Sequence, residues 1–205
     1  MEVVRGTTFT TPHRDPEARP AGAAAWHHGD MDVRRLDSAG LVAVAQVDVS
    51  EEDTVLLAQV GTDIVTTRQA WRRAPRDLDA WSPVIVEWRT ILDAGGIAVG
   101  AFDGEALVGI AILRPDLGPG MAQLAALFTD RRHRRQGVAT GLVRGVEAAA
   151  RAAGATTLYV SASETPSAVG FYLGRGFLPT GEPHPDLLAR EPLDIHMVKD
   201  LRHEP

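Results

Sequence analysis

The sequence contains no cysteine among its 205 residues. Disulfide bonds and thiolate metal sites are therefore excluded. The absence suits a reducing compartment, so we expect a cytoplasmic protein. The sequence has no apolar run long enough to cross a bilayer. It also has no basic segment followed by an apolar one, the pattern of a signal peptide. We therefore expect no membrane partner.

Lysine and aromatic residues are scarce. Lys199 is the only lysine, aromatic residues make up 5% of the chain, and Tyr159 and Tyr172 are the two tyrosines.

The 27 acidic residues outnumber the 21 lysines and arginines, which gives a formal net charge of -6. This balance argues against a protein that coats nucleic acid, and we expect no nucleic-acid partner. Length and a 44% hydrophobic content suit one globular domain.

Residues 1–30 differ in composition from the rest of the chain. They contain Pro12, Pro16 and Pro20 and an alanine-rich run, without sustained apolar periodicity. We predict a disordered or loosely docked extension before a domain that spans residues 31–205. The adjacent pair His27-His28 is interpreted as solvated polar residues rather than as a metal site, and no metal is expected. Whether translation starts at Met1 or Met31 is left open.

The hydrophobic pattern predicts an α/β (α+β) fold with a mixed central sheet flanked by helices. Asp103-Gly104 marks a hairpin, and residues 116–120 a turn. Four helices are predicted. The first is short and is capped by Asp37 or Ser38, and the second begins at Ser82-Pro83 and ends before Gly95. The third spans residues 140–153 and ends at Gly154, and the fourth spans residues 167–175 and ends at Gly176. The predicted strands are residues 31–36, 55–60, 64–67, 97–102, 106–113, 121–129, 157–161 and 193–201.

A basic, glycine-containing turn joins the apolar strand at 121–129 to the apolar helix at 140–153. It reads Arg134-Arg135-Gln136-Gly137-Val138-Ala139. The free N–H groups and positive end of a helix favour an anion in such a turn, and a glycine allows a phosphate to approach the backbone. Arginine side chains add charge-assisted hydrogen bonds. The alternatives are a solvated charged turn and a nucleic-acid patch, and the glycine and the helix favour a phosphate site.

This run resembles the Arg/Gln-x-x-Gly-x-Gly/Ala signature of the GNAT superfamily of acyl-CoA-dependent N-acyltransferases. Arg134, Gly137 and Ala139 take its three defined positions. A second segment, residues 167–177, is similar to the family's A-x-x-x-Y-x-x-x-G-F motif, with Tyr172 as its tyrosine. The resemblance covers about residues 31–201. It implies the GNAT fold, with a central sheet splayed at the acetyl-CoA site.

The resemblance also implies how acetyl-CoA, the acyl donor, is held. Backbone N–H groups of residues 134–139 (Arg134, Arg135, Gln136, Gly137, Val138, Ala139) would bind the pyrophosphate. The backbone of Leu127, Phe128 and Thr129 would accept the pantetheine arm, with the Leu127 N–H near the thioester carbonyl as an oxyanion-type contact. The alternative is that these three residues only pack in the core of the strand. The two interpretations are compatible, because the implied role uses the backbone and leaves the side chains free to pack.

Tyr172 is the candidate catalytic side chain. Acyl transfer to an amine expels a thiolate, which a tyrosine hydroxyl within hydrogen-bond reach can protonate. In the family this position is commonly that acid. The alternative is a packed aromatic residue.

The general base is not identified by the sequence. Family members often place a glutamate where this chain has Gln123, and an amide accepts no proton near neutral pH. A water relay or a carboxylate elsewhere must serve. The candidate side chains, each more often structural than catalytic, are Glu51, Glu52, Glu164, Asp194 and His196.

The sequence therefore predicts an N-acetyltransferase that moves the acetyl group of acetyl-CoA to a primary amine by direct attack in a ternary complex. The absence of cysteine fits a reaction without an acyl-cysteine intermediate. The acceptor is expected to be a small molecule. Alternatives are a peptide or protein amine, and a non-catalytic acyl-CoA-binding sensor. The oligomeric state, monomer or homodimer, stays open.

Overall fold

An eight-stranded mixed sheet forms the centre of the molecule in the computed structural model, which describes residues 26–28 and 31–202. The strand order is β1-β2-β5-β6-β7-β8-β10-β9, and β3 and β4 form a separate hairpin. The strands are β1 (Trp26–His28), β2 (Met31–Leu36), β3 (Glu51–Val60), β4 (Asp63–Arg73), β5 (Ile97–Asp103), β6 (Ala106–Gly118), β7 (Met121–Thr129), β8 (Thr157–Ala162), β9 (Leu178–Pro179) and β10 (Ile195–Asp200).

Four α-helices, a 3-10 helix and a short 3-10 turn accompany the sheet in the described residues. The predicted α/β (α+β) class, with a mixed sheet flanked by helices, is confirmed. The helices are α1 (Leu78–Asp93), α2 (Val138–Ala152), α3 (Pro166–Gly174) and α4 (Pro185–Arg190), with the 3-10 helix at Gly40–Gln46 and the 3-10 turn at Arg131–His133.

Two apolar clusters cover opposite faces of the sheet. Side chains alternate along β6, so Ala111 and Leu113 join the cluster under α2 and α3, while Ile110 and Ile112 join the one under α1 and the 3-10 helix. Gly109 lies where α2 approaches β6 closely, since a Cβ there would stand 2.7 Å from Val138 Cγ1. The sheet is therefore buried on both faces beside the predicted turn at 134–139.

The predicted start of α1 at Ser82-Pro83 is wrong. The helix begins at Leu78, because the Asp77 carboxylate caps it by accepting a hydrogen bond of 2.9 Å from the Ala80 N–H. Pro83 lies inside the helix beyond its first turn, where it removes the helical hydrogen bond that its missing N–H would donate.

Smaller differences concern turns and short elements. The predicted turn at 116–120 is shorter, because β6 continues to Gly118 before turning at Pro119-Gly120. The short predicted helix after Asp37 is a 3-10 helix, and the Asp37 carboxylate accepts from the Gly40 N–H at 2.7 Å. Sequence patterns did not indicate β9 or α4, since two-residue and six-residue elements are too short to show a period.

Three residues of the predicted extension pair with the sheet. In β1, Trp26 pairs with Val33 and His28 with Met31, antiparallel to β2. Residues 1–25 lie outside the described part of the chain. The extension and the domain boundary at residue 31 stay predictions.

Candidate functional site

The sheet opens between β7 and β8. These two parallel strands pair only through Met121, Ala122 and Gln123. Beyond Gln123, β8 stays paired with β10 as far as Ala162, while β7 stays paired with β6. The β6–β7 register shifts by one residue at Ala125, as in a β-bulge, and bulges bend a strand away from its neighbour. A cavity of about 470 Å³ lies in the opening.

A buried carboxylate organises the loop at the end of β7. Asp130 is 8% exposed and accepts hydrogen bonds from the Asp48 N–H at 2.9 Å, the Arg132 N–H at 2.9 Å and His133 Nδ1 at 3.0 Å. Burial raises the pKa of Asp130, but these hydrogen bonds and the charge of His133 outweigh it, so the pKa lies below its ordinary value. The loop that leads into α2 is thus anchored to the segment before β3.

The loop enters α2 through two residues with left-handed backbone conformation. Arg135 has φ 60° and Gly137 has φ 88°. Gly137 is the N-cap of α2 and offers no side chain to the first turn, and a Cβ placed on it would meet no atom within 4 Å. Val138, Ala139 and Thr140 of that first turn line the cavity. The helix N-terminus therefore points its uncapped N–H groups towards open space, as an anion site requires.

The two arginines of the turn differ in their surroundings. The Arg134 guanidinium faces inward, where Nη2 donates to the Ser50 carbonyl at 3.1 Å and Nη1 lies 3.8 Å from Glu51 Oε1. Arg135 is exposed and lines the cavity. Gln136 is exposed and donates to the Arg132 carbonyl at 2.7 Å.

The structure brings most of the predicted site residues together. Gln136 is absent from the cavity wall, so only its backbone can serve the predicted site. The Thr129 Oγ1 is buried there and has no hydrogen-bond partner among the described residues. The predicted residues on the cavity wall are Leu127, Phe128, Thr129, Arg134, Arg135, Gly137, Val138, Ala139 and Tyr172.

Tyr172 reaches the cavity from α3. Thr165 caps this helix by accepting from the Ala168 N–H at 3.2 Å. The Tyr172 ring is 6% exposed and packs edge-to-face between Phe171, at 5.4 Å, and Phe177, at 5.3 Å between ring centroids. Burial first, and then the charge of Asp194, raise the pKa of Tyr172 above its ordinary value. The phenol therefore stays protonated and can donate a proton or a hydrogen bond.

Gln123 and two of the candidate bases, Glu52 and Glu164, lie away from the cavity wall. Gln123 is buried in β7 between Arg114 and Tyr159 in register. Glu52 is exposed on β3, and Glu164 lies in the loop after β8, where its carbonyl accepts from the Leu57 N–H at 2.8 Å.

His196 is a third candidate base that lies off the cavity wall. It is 2% exposed, and its Nδ1 lies 2.7 Å from the Tyr159 hydroxyl. That hydroxyl accepts from the His184 N–H at 3.1 Å, so its own proton points to Nδ1. The Nε2 then donates to the Glu191 carbonyl at 3.2 Å. Burial is the main reason that the pKa of His196 is lowered, and the ring is a neutral, internally bonded residue.

Two candidate bases, Glu51 and Asp194, do line the cavity. Glu51 accepts from the Ser167 hydroxyl at 2.5 Å and lies 3.7 Å from the Arg73 guanidinium and 3.8 Å from that of Arg134. For Asp194, burial is the largest effect on the pKa and the charges of Glu191 and Glu164 add to it, raising the pKa to about 6. The Glu51 carboxylate thus lies beside a hydroxyl donor and two cations, whereas the Asp194 carboxylate lies near other negative charges.

Arg73 and Glu191 are cavity residues that sequence patterns did not single out. Arg73 ends β4 inside the polar stretch 68–79, which has no clear period, and Glu191 follows the short helix α4. Only the packing of the β3–β4 hairpin and of the segment before β10 brings them to the opening.

Two further observations concern metals and membranes. Within residues 26–28 and 31–202, no group of three or more His, Asp or Glu side chains is arranged to hold a metal ion. None of the helices described is long and apolar enough to cross a membrane.

Comparison with known proteins agrees with this architecture. A family model described as the acetyltransferase (GNAT) family matches residues 62–177. The rat protein N-acetyltransferase 8B is 38% identical over 95 residues, which are 44% of this chain and 43% of that relative. The match thus spans less than half of the relative's length.

Solved structures share the fold. Nourseothricin acetyltransferase superposes with a TM-score of 0.66 at 16% identity, over 84% of this chain and 99% of that one. The PaiA N-acetyltransferase from Thermoplasma acidophilum, solved in complex with coenzyme A, has a TM-score of 0.56 at 13% identity, over 83% of this chain and 98% of that one.

Proposed function

Because the chain belongs to the acetyltransferase (GNAT) family, we propose that it transfers the acetyl group of acetyl-CoA to a primary amine. Attack is direct, within a ternary complex of protein, acetyl-CoA and amine. The observation that carries the proposal is the opening between β7 and β8, which ends at the uncapped N-terminus of α2. This arrangement offers a groove for a long thioester and an anion site at its end.

Acetyl-CoA would lie along this opening. The N–H groups of residues 134–139 would hold the pyrophosphate, with Gly137 allowing its close approach and the Arg135 side chain adding positive charge. The pantetheine arm would follow Leu127, Phe128 and Thr129, where the unpartnered Thr129 Oγ1 offers a hydrogen bond. The Leu127 N–H would stabilise the oxyanion that develops on the thioester carbonyl.

Tyr172 would act as the general acid. The amine nitrogen attacks the thioester carbonyl carbon, a C–N bond forms, and the C–S bond breaks to release the thiolate. The thiolate takes its proton from the Tyr172 hydroxyl. Burial of the ring and the nearby Asp194 charge keep the hydroxyl protonated until the leaving group appears, and its place on the cavity wall supports this role.

The acceptor is proposed to be a small cationic amine. Two carboxylates on the cavity wall, Glu191 and Asp194, stand outside the ion pairs that Glu51 makes with Arg73 and Arg134. They favour an ammonium ion over a neutral or acidic acceptor, and the net charge of -6 acts in the same direction. The absence of cysteine supports a cytoplasmic location.

Thiol release from acetyl-CoA across a panel of amines tests the proposal. Small diamines, amino-acid derivatives and aminoglycosides form one arm, and peptides with a free N-terminus or lysine the second. We expect turnover in the first arm. Turnover confined to peptides would make the acceptor a peptide or protein amine.

A third outcome, acetyl-CoA binding by calorimetry without turnover in either arm, would favour the acyl-CoA-binding sensor. Gln123, in place of a glutamate, is the residue that keeps this alternative open. Absence of acetyl-CoA binding would contradict the whole assignment.

A further inference from the structure

The Asp194 carboxylate faces the cavity without a fixed partner. It lies just before β10, where its N–H donates to the Glu191 carbonyl at 3.2 Å. Its side chain is half-buried and lines the opening, and it makes no hydrogen bond or ion pair within 26–28 and 31–202. A carboxylate that faces an opening without a fixed partner is free to contact an acceptor bound there.

The groups around Asp194 come from several elements. Glu191 precedes it in the chain, Glu164 follows β8, and both repel its negative charge. Arg73 at the end of β4 attracts it, and Tyr172 on α3 is close enough for its ionisation to be opposed by the Asp194 charge. The remaining charged or titratable residues on the cavity wall are Glu51, His133, Arg134 and Arg135.

We propose that Asp194 is the general base that accepts a proton from the acceptor amine. The assignment rests on the acetyl transfer proposed above. The acceptor arrives as an ammonium ion and loses one proton to the Asp194 carboxylate before or during attack. The second proton leaves the nitrogen for solvent after the C–N bond forms, while Tyr172 protonates the departing thiolate and regains a proton from solvent. Asp194 then releases its proton to solvent, so that ammonium and thioester become amide, thiol and one proton.

The other carboxylate on the wall is poorly suited to this role. Glu51 is held by Ser167 at 2.5 Å and lies within 4 Å of Arg73 and Arg134, so its oxygens are already engaged. A base needs a lone pair that faces the acceptor, and the oxygens of Glu51 already face Ser167 and the two guanidinium groups. Asp194 has the reverse surroundings, and its pKa of about 6 places proton acceptance near neutral pH.

This role predicts a specific pH profile. Only ionised Asp194 accepts a proton, so kcat/KM should fall as the pH drops through about 6. In Asp194→Asn the side chain does not titrate, and this acid limb should disappear. Turnover in Asp194→Asn should fall by roughly 100- to 10,000-fold, the scale of general base catalysis. The affinity for acetyl-CoA should change by less than about twofold, because the interaction is made in the transition state.

Two further variants make the test specific. Asp194→Glu keeps the carboxylate and should recover part of the lost turnover together with an acid limb. Glu52→Gln removes one negative charge from the exposed face of β3 and should leave turnover and the pH profile unchanged. All proteins are compared by melting temperature and by acetyl-CoA titration, so that a folding defect is recognised.

Asp194→Asn with wild-type turnover, or with the acid limb retained, would overturn the assignment. A parallel loss of acetyl-CoA affinity and turnover, without recovery in Asp194→Glu, would also overturn it and make Asp194 structural. These outcomes differ from failure of the proposed function, in which the wild-type protein itself would turn over no amine.

Discussion

Two ionisable side chains on one cavity wall, Tyr172 and Asp194, have pKa values moved away from their ordinary ranges. Desolvation is the first cause in both, and it keeps the phenol neutral while it weakens the carboxylic acid. Pairs of groups tuned in this way are typical of acid–base sites. Each residue can be tested alone, because Tyr172 should affect the protonation of the leaving thiolate and Asp194 the deprotonation of the acceptor amine.

We expect Tyr172→Phe to lower turnover by roughly ten- to a thousandfold with little change in acetyl-CoA affinity. The substitution keeps the ring packed between Phe171 and Phe177 and removes only the hydroxyl. Steady-state thiol release and a binding titration measure the two effects. Tyr159→Phe is the matched control, since Tyr159 lies off the cavity wall and bonds to His196. Wild-type turnover in Tyr172→Phe would remove the residue from the mechanism.

Asp194→Asn should also change stability, independently of activity. The folded-state pKa of about 6 lies above the ordinary 3.8, so the folded protein holds this proton more tightly than the unfolded chain does. The associated stability is present at low pH and is lost as the pH rises through 6. Asparagine avoids this loss.

The free energy of unfolding of Asp194→Asn should therefore exceed that of the wild type by on the order of 1–3 kcal/mol at pH 8. The difference should grow between about pH 4 and pH 6 and then stay constant. Urea denaturation at a series of pH values measures it. A difference that is independent of pH would contradict the raised pKa.

At the scale of single elements, the two ends of helix α2 are flanked by glycines that are alike in conformation and differ in position. Its N-terminus borders the cavity, and its C-terminus ends at Gly154 with φ 85°. Gly137 and Gly154 share a left-handed conformation, and a Cβ on either would meet no atom within 4 Å. They differ in position, because Gly137 alone lies on the cavity wall.

Gly137→Glu should therefore abolish acetyl-CoA binding, through bulk, backbone strain and a negative charge in the anion site. Gly154→Glu carries the same bulk, charge and strain at the opposite end of α2 and should bind acetyl-CoA as the wild type does. Calorimetry on both folded variants decides the matter. Equal affinities in the two variants would refute the anion site at this turn.

The only lysine of the chain forms a buried ion pair between α2 and β10. Lys199 Nζ lies 2.6 Å from Glu147 Oε1, and both side chains are 7% exposed. Lys199→Met should lower the free energy of unfolding by about 3–5 kcal/mol, because it leaves the Glu147 charge buried and unpaired. The double variant Glu147→Leu/Lys199→Met should recover most of that loss.

Denaturant titration measures both effects. The exposed pair Arg190–Glu87 has the same 2.6 Å separation, so Arg190→Met should cost only about 0–1 kcal/mol. A similar cost for Lys199→Met would show that burial does not govern the ion pair.

At the scale of the whole molecule, the edge strand β1 and the cavity lie far apart in the sheet. Strands β2, β5 and β6 separate β1 from β7, which borders the opening. A chain that begins at Met31 loses β1 and its three residue pairs with β2. We expect this chain to fold and to bind acetyl-CoA with unchanged affinity, while its melting temperature falls by about 2–4 °C for each kcal/mol of edge pairing lost.

Scanning calorimetry and acetyl-CoA titration compare that chain with the full-length protein. A loss of coenzyme affinity would contradict the expectation and assign residues 1–30 a part in the site.

Local sequence patterns determined the fold class, most elements and the location of the turn between β7 and α2. These features depend on nearby residues: apolar periodicity sets strands and helices, and glycine permits the left-handed conformation at Gly137. The start of α1 was misassigned because Ser82-Pro83 is also a good helix start, and the sequence does not show that Asp77 caps the helix.

Tertiary structure alone decided the surroundings of the candidate bases. Glu51 and Asp194 are equivalent carboxylates in the sequence, yet one is engaged by Arg73, Arg134 and Ser167 while the other faces the cavity unpaired. Their neighbours come from segments distant in the chain, and burial and charge depend on distances in space. The sequence therefore determined where acetyl-CoA is expected to bind, and only the folded chain showed that the surroundings of Asp194 differ from those of Glu51.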